Sequence, residues 1–385
     1  MSDTLPTTPT CLYDLSRDDL AKQLEIWHEP AFRAEQIWRW IYERHSSSIA
    51  EMTDLSKQLR TKLQENFSLT RYSNVTDITS TDGWTRKWLL RLPDGNEVES
   101  VLMEYEGSRK TACISSQAGC SMNCSFCATG QMGFFRNLNA GEIIEQVMWV
   151  TRALTNDDNA PSPAHESDER TAPESQRLSH VVFMGMGEPF ANYNNVIEAA
   201  RRLTDARSHG GFGLGARKIT ISTVGLTSGI RKLAAEDMQL NLAVSLHAAT
   251  DELRTTLVPI NKRYPLSELA DAIKEYIQKT NRRVSFEWAL IDGVNDSVEQ
   301  AIALIGFIRQ CFDPRKEKRH MIHVNMIPLN PTSGYKGDAS QKARIMQFRE
   351  ILDRVTIPNT IRVRRGIDIS AGCGQLKAQR SNPKH

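Results

Sequence analysis

The chain has 385 residues and a mass of 43.5 kDa, with 40% hydrophobic and 24% charged residues. That balance is globular and excludes collagen-like, wholly disordered and small disulfide-scaffold classes, and no apolar run approaches the ~18 residues of a membrane-spanning helix. Net charge is +2, from 48 Lys and Arg against 46 Asp and Glu, so a polyanionic partner has to be argued from local clusters. MSDTLPTTPT at the start has neither a basic nor an apolar signal region, so a cytoplasmic location is expected.

Residues 1–10 are Thr/Pro-rich and read as disordered. Helical signals follow. Ser16 suits an N-cap, with Asp18 and Asp19 in the first turn, and Leu20 and Leu24 share a face. A second amphipathic run holds Ile37, Trp38 and Ile41, and a third holds Leu55, Leu59 and Leu63. Residues 1–75 form a small helical N-terminal domain on this reading. Residues 76–108 are a β-hairpin linker, with Trp84–Leu92 and Glu97–Met103 extended around Pro93-Asp94-Gly95-Asn96.

From 109 to 355, β-rich runs alternate with helical ones. The strand candidates are Thr111–Ser115, His180–Met184, Lys218–Ser222, Leu240–Leu246, Val284–Ala289 and Ile322–Ile327. Helical patterns at 140–153, 194–206, 226–235, 265–279, 297–310 and 339–353 separate them. The alternation predicts an α/β fold with a parallel sheet, read as a partial (βα)6 barrel rather than a closed eight-unit one. Ile361–Arg365 is a candidate last strand, and 356–385 form a C-terminal extension. Residues 156–178 are polar and Pro-rich and read as a flexible surface insertion.

Seven cysteines are present, an odd number, and Cys120, Cys124 and Cys127 stand in C-x3-C-x2-C spacing after the first strand candidate. In a reducing compartment such clustering points to metal or redox chemistry rather than disulfides. Structural zinc takes four closed ligands, and so in general does a four-iron cluster. Three thiolates leave either an open iron or a zinc site completed from afar, by Cys373 or a histidine. Cys11 lies in the expected tail, Cys311 ends a helical run as a small buried hydrophobe, and neither is given a role.

The three-cysteine motif, with Phe126 before its last member, resembles the radical S-adenosylmethionine (SAM) superfamily. The resemblance implies that Cys120, Cys124 and Cys127 hold a [4Fe-4S] cluster whose open iron is chelated by SAM. It assigns SAM contacts to Gly187 and Glu188 in Gly185-Met-Gly-Glu-Pro189, to Ser222, to Ser245-Leu246-His247 and to Asn330, all at strand ends. Taken with Ser115-Ser-Gln-Ala-Gly-Cys120, Arg254 and Arg365-Gly-Ile-Asp-Ile-Ser-Ala-Gly-Cys373-Gly-Gln-Leu376, these motifs resemble the bacterial RNA adenine carbon-2 methyltransferases of the RlmN type.

That family implies two SAM molecules per turnover. One methylates Cys373. The second yields a radical that takes a hydrogen from the S-methyl group, and the resulting methylene adds to adenine carbon 2. Glu99 matches the family's proton acceptor, and Cys113 the cysteine that resolves the protein–RNA adduct through a transient disulfide with Cys373. The implied substrates are 23S rRNA and tRNA, the electron donor a protein such as flavodoxin, and the chain a monomer without membrane attachment. The sister activity at adenine carbon 8 shares these motifs, and a non-catalytic zinc-dependent RNA-binding module is the reading from another class. RNA contacts are expected from Arg362, Arg364, Arg365, Lys377, Arg380 and Lys384. Further contacts are expected from Arg201, Arg202, Arg207, Arg217 and Lys218, and from the run 315–320.

Overall fold

A computed structural model describes residues 9–106, 108–155, 177–312 and 321–377. Most of the expected N-terminal tail, residues 156–176 of the insertion, the basic run 315–320, Arg380 and Lys384 lie outside the described residues.

The N-terminal part comprises β1 (Thr10–Cys11), α1 (Arg17–Ile26), α2 (Phe32–Tyr42), α3 (Lys57–Asn66) and β2 (Phe67–Ser68). Ser16 and Asp19 form a reciprocal capping box that starts α1. The apolar stripes of the three helices meet in one core that includes Leu24, Trp38, Ile41 and Leu63. Cys11 is not in a tail. It pairs with Ser68 in the β1–β2 bridge and is buried, so the chain is anchored from its tenth residue.

The sheet begins earlier than expected. β3 (Ser73–Thr79) lies partly inside the range given to the helical domain and makes the hairpin three-stranded with β4 (Thr85–Arg91) and β5 (Glu97–Glu104). All seven residues of β3 are exposed. Such a strand has no buried face, so its sequence carries no apolar alternation to reveal it.

The remaining strands are β6 (Lys110–Cys113), β7 (Gln117–Gly119), β8 (Phe134–Asn137), β9 (His180–Phe183), β10 (Ile219–Thr223), β11 (Asn241–Ser245), β12 (Val284–Leu290), β13 (Ile322–Pro328) and β14 (Asn359–Ile361). One ten-stranded sheet has the order β14-β13-β12-β11-β10-β9-β6-β5-β4-β3. β6 and β9 through β14 run parallel, while β5, β4 and β3 continue it antiparallel. The six parallel strands expected from the sequence are thus present in a curved sheet with two free edges. The seventh, β14, stops at Ile361, and Arg362 to Arg365 leave the sheet instead of extending it.

The barrel helices are α4 (Ala128–Met132), α5 (Ala140–Thr155), α6 (Tyr193–Thr204), α7 (Thr227–Leu233), α8 (Asp251–Leu257), α9 (Leu266–Thr280), α10 (Val298–Cys311) and α11 (Lys342–Arg354). Crossover helices on one face leave the other face of the sheet to line the interior.

One buried carboxylate on α5 joins the helical part to the barrel. Glu145 accepts hydrogen bonds from Arg71 Nε (2.8 Å), the Arg71 and Tyr72 backbone N–H groups and Thr70 Oγ1. Arg71 also reaches Asp14 at 3.0 Å. Removing one partner of a buried pair strands the other charge. Glu145→Ala should therefore cost about 3–5 kcal/mol in urea unfolding. A loss below about 1 kcal/mol, the range of an exposed pair, would contradict this role.

Candidate active site

Cys120, Cys124 and Cys127 lie on the loop between β7 and α4. Cys120 N–H donates to the Gly133 carbonyl (2.8 Å), Ser125 N–H to the Leu257 carbonyl (3.0 Å) and Ala128 N–H to the Gly374 carbonyl (2.8 Å). The loop is thus tied to three other segments. All three thiols line one cavity of about 150 Å³ at the carboxyl ends of the parallel strands. Burial pushes each thiol's pKa up, to about 12 for Cys120, and coordination to a metal is the force that reverses such a shift.

The strand-end motifs meet at this cavity. Gly187 has φ +101°, and a Cβ there would stand 2.6 Å from the Gln117 Cβ, so the close passage of these backbones requires glycine. The Glu188 carboxylate accepts from Phe190 N–H and Val224 N–H, which ties the loops after β9 and β10 together. Burial pushes its pKa up to about 7. Ser222 and Ser245 place their hydroxyl oxygens 3.4 Å apart. His247 sits at φ +59°, and its Nδ1 accepts from Ala289 N–H at 3.0 Å. That bond leaves the ring proton on Nε2, and burial with the Arg254 charge holds the pKa down at about 3, so the ring is neutral. The Phe126 ring packs edge-on against His247, with centroids 4.8 Å apart. Of the residues assigned to SAM, Leu246 alone fails to line the cavity; its side chain is in the core, and its N–H donates to the Glu287 carbonyl.

Cys373 reaches this cavity from the C-terminal extension. Asn330 Nδ2 donates to the Cys373 carbonyl (3.1 Å), Thr129 Oγ1 to the Leu376 carbonyl (2.6 Å) and Gln375 Nε2 to the Pro331 carbonyl (2.9 Å). Gly374 adopts φ +82°, and a Cβ on Gly372 would meet Asn330 Nδ2 at 2.6 Å. These glycines fit the loop against the barrel as well as permitting movement.

Cys373 also lines a second cavity, of about 430 Å³, together with Cys113, Tyr105, Arg109 and Arg362 to Arg365. Both Cys113 and Cys373 are free thiols, so the transient disulfide expected between them is not formed here. Glu99 is buried, not the exposed strand carboxylate that its sequence context alone suggests. Lys87 Nζ lies 2.8 Å from its Oε1, and Lys377 N–H donates to its Oε2 at 2.6 Å. It lies two residues from Val101, the register partner of Cys113, so both belong to one face of the sheet.

The sequence did not single out Glu287, Asn325 or Lys87. Glu287 Oε1 accepts from Asn325 Nδ2 at 2.8 Å and has the Arg362 guanidinium 3.9 Å away, while its Oε2 is buried without a partner. A lone carboxylate in the otherwise mostly apolar run Val284–Leu290 was the available signal. Two of the three basic clusters can be checked. Three arginines of the 201–218 cluster bond to the protein itself: Arg201 pairs with Glu236 and Asp237, Arg202 with Glu198 and the Tyr13 and Leu15 carbonyls, and Arg217 with Gln239. The arginines of 362–365 instead surround the second cavity.

Among the described residues, no three His, Cys, Asp or Glu side chains converge on a point that would hold a single metal ion. Thiols spread along a cavity wall fit a multi-iron cluster, whose corners take thiolates separately. Two buried acceptors without partners, Asn330 Oδ1 and Glu287 Oε2, border the same cavity and suit the amino and hydroxyl donors of SAM.

Desolvation raises the Cys373 thiol above its ordinary value of 9.0, and Arg362 opposes that shift. The thiolate is therefore the minor form at neutral pH and grows as pH rises. Iodoacetamide labelling of Cys373, followed by peptide mass spectrometry, should still be accelerating at about pH 9, and Arg362→Met should label more slowly at each pH. A plateau below about pH 8, or faster labelling of the variant, would contradict this electrostatic account.

Comparison with known proteins agrees with this geometry. Residues 10–69 match the ribosomal RNA large subunit methyltransferase N-terminal domain, and residues 114–305 match the radical SAM superfamily. The chain is 47% identical over 374 residues to a probable dual-specificity RNA methyltransferase RlmN of Chloroflexus aurantiacus, covering 97% of this chain and 94% of that one. It is 44% identical over 371 residues to dual-specificity RNA methyltransferase RlmN 1 of Myxococcus xanthus, covering 96% and 95%. A crystal structure of a radical SAM methyltransferase from Sphaerobacter thermophilus superposes with a TM-score of 0.86 at 42% identity, covering 96% of this chain and all of that one. With both family models matched and relatives at 44–47% identity over almost the whole chain, the chain belongs to the RlmN family of radical SAM RNA methyltransferases.

Proposed function

We propose that this enzyme methylates carbon 2 of an adenosine in 23S rRNA and in tRNA, with Cys373 as the methyl carrier. The observation that supports this reading most is that Cys373 borders two cavities at once. One holds the three cluster cysteines and the strand-end motifs, and the other holds Cys113 and an arginine-lined mouth. A sulfur at that junction can meet SAM on one side and an unstacked base on the other.

Carbon 2 of adenine is electron-poor and does not attack a sulfonium methyl, so a carrier is needed. The family's bound cluster supplies one-electron reduction of SAM. The chain's own residues do the rest. The Cys373 thiolate displaces S-adenosylhomocysteine from the methyl group of SAM, and Asn330 holds its backbone carbonyl during that step. After the methylene radical has bonded to the base, the adduct must give one electron back to the cluster, and Glu99 accepts the carbon-2 proton. In the resting arrangement Glu99 is held by Lys87 and Lys377, so it serves once the loop shifts and frees an oxygen. The Cys113 thiolate then attacks the Cys373 sulfur, the carbon–sulfur bond breaks, the departing carbon keeps the electron pair and takes a proton to become the methyl group, and a disulfide remains for a reductant to open. An external protein such as flavodoxin supplies the electrons, and one chain carries the complete site, consistent with a monomer.

Cys373→Ala should abolish methyl transfer while keeping the iron and sulfide content, and unimpaired turnover would refute the carrier role. Cys113→Ala should accumulate a protein–RNA species that migrates slowly on a denaturing gel. Normal product without that band would exclude Cys113 as the resolving thiol. Nucleoside mass spectrometry should find 2-methyladenosine, and an 8-methyladenosine peak would move the activity to the sister carbon.

A further inference from the structure

The mouth of the second cavity is built from aromatic rings stacked with arginines. Tyr105 and Arg109 stand on the turn between β5 and β6, Arg365 just beyond β14, and Trp84 immediately before β4. The Arg365 guanidinium lies over the Tyr105 ring (4.9 Å) and the Trp84 ring (5.6 Å), and Arg109 lies over Tyr105 (5.1 Å). Trp84 does not line the cavity itself, but it stands against Arg365, which does, and it remains 38% exposed, a large aromatic surface offered to solvent.

Charge points the same way. Among the described residues, no carboxylate lies within ion-pairing distance of Arg109, Arg364 or Arg365. Arg109 bonds to Thr111 Oγ1 at 3.4 Å and Arg364 to the Leu329 carbonyl at 3.5 Å. Asp82 feels the Arg365 charge, and its carboxylate is already engaged by Ser80 and the Trp84 N–H. Arg362 faces Glu287, deeper in the site. Such a rim presents stacking faces and unneutralised guanidinium edges together, the combination that takes an unpaired nucleotide.

We propose that Trp84, Tyr105, Arg109 and Arg365 form a subsite for a nucleotide adjacent to the methylated adenosine. Its base stacks on Trp84, and its phosphate rests on Arg109 and Arg365. This rests on the reading of RNA as substrate. The target base must reach Cys373, which lines this cavity, so its chain neighbours are left beside it. Arg365, fixed between two rings, orients Trp84 and keeps a cation beside the phosphate path.

The test uses the reconstituted full-length protein and a substrate RNA hairpin with 2-aminopurine next to the target adenosine. Trp84→Ala should weaken RNA binding by about 5- to 100-fold and restore the 2-aminopurine fluorescence that the wild type quenches, and Trp84→Phe should recover most of both. Arg365→Met should weaken binding and lower the slope of log affinity against log salt by about one. Cys373 S-methylation in the absence of RNA, measured on the same Trp84→Ala sample, reports whether the fold is intact. If Trp84→Ala binds and quenches as the wild type does, the subsite is refuted, and the patch would then suit a protein partner. If the wild type itself neither binds nor methylates the hairpin, the RNA reading fails first, and the subsite with it.

Discussion

A handful of hydrogen bonds hold the C-terminal loop across the open barrel, and the position of the Cys373 sulfur depends on them. They come from several elements: Asn330 after β13, Ala128 and Thr129 in the first turn of α4, and the Lys87–Glu99 pair on β4 and β5. Lys87 also donates to the Ser370 carbonyl at 3.2 Å, so one cation touches both the loop and the carboxylate beneath it. Each neutral bond contributes about 1 kcal/mol net. The loop is thus held by a few kcal/mol, enough to seat the thiol and little enough to release it within a catalytic cycle.

The same constraint explains the polar interior. Curved parallel strands converge their carboxyl ends on one mouth, so Ser222, Ser245, Glu287 and Asn330 project into a confined space. Buried groups there need partners. Arg254 finds them in the Leu246 and Val224 carbonyls and Asn261, His247 in the Ala289 N–H, and Glu188 in two backbone N–H groups. Asn330 Oδ1 and Glu287 Oε2 remain without partners, and both border the place where a donor-rich cosubstrate fits. The buried Glu145–Arg71 pair likewise ties the segment that follows the helical part to α5.

Much of this was legible in the sequence, for physical reasons. Strands buried on both faces read as apolar runs, and the six parallel strands were found within a few residues. The thiol spacing and the strand-end glycine of Gly187 mark chemistry that few other residues could perform. What escaped had weaker signatures. β3 has no buried face, so nothing in its composition marks it. Cys11 follows a Thr/Pro-rich tail, and only the bridge to Ser68 shows it to be anchored. The arginines at 201 and 202 look like an RNA patch in one dimension, but their carboxylate partners are distant in sequence or sit on the same helix face. Glu99 and Lys87 are ordinary strand residues until the sheet register and the returning C-terminus bring them together.

The account stands or falls on whether the methyl group passes through Cys373. The direct measurement is one turnover of enzyme whose Cys373 already carries a deuterated methyl group, supplied with RNA, reductant and unlabelled SAM, followed by mass spectrometry of the digested nucleosides. The account predicts deuterium in the first-turnover 2-methyladenosine and its loss from the Cys373 peptide. Unlabelled 2-methyladenosine, with the deuterium still on Cys373, would contradict it.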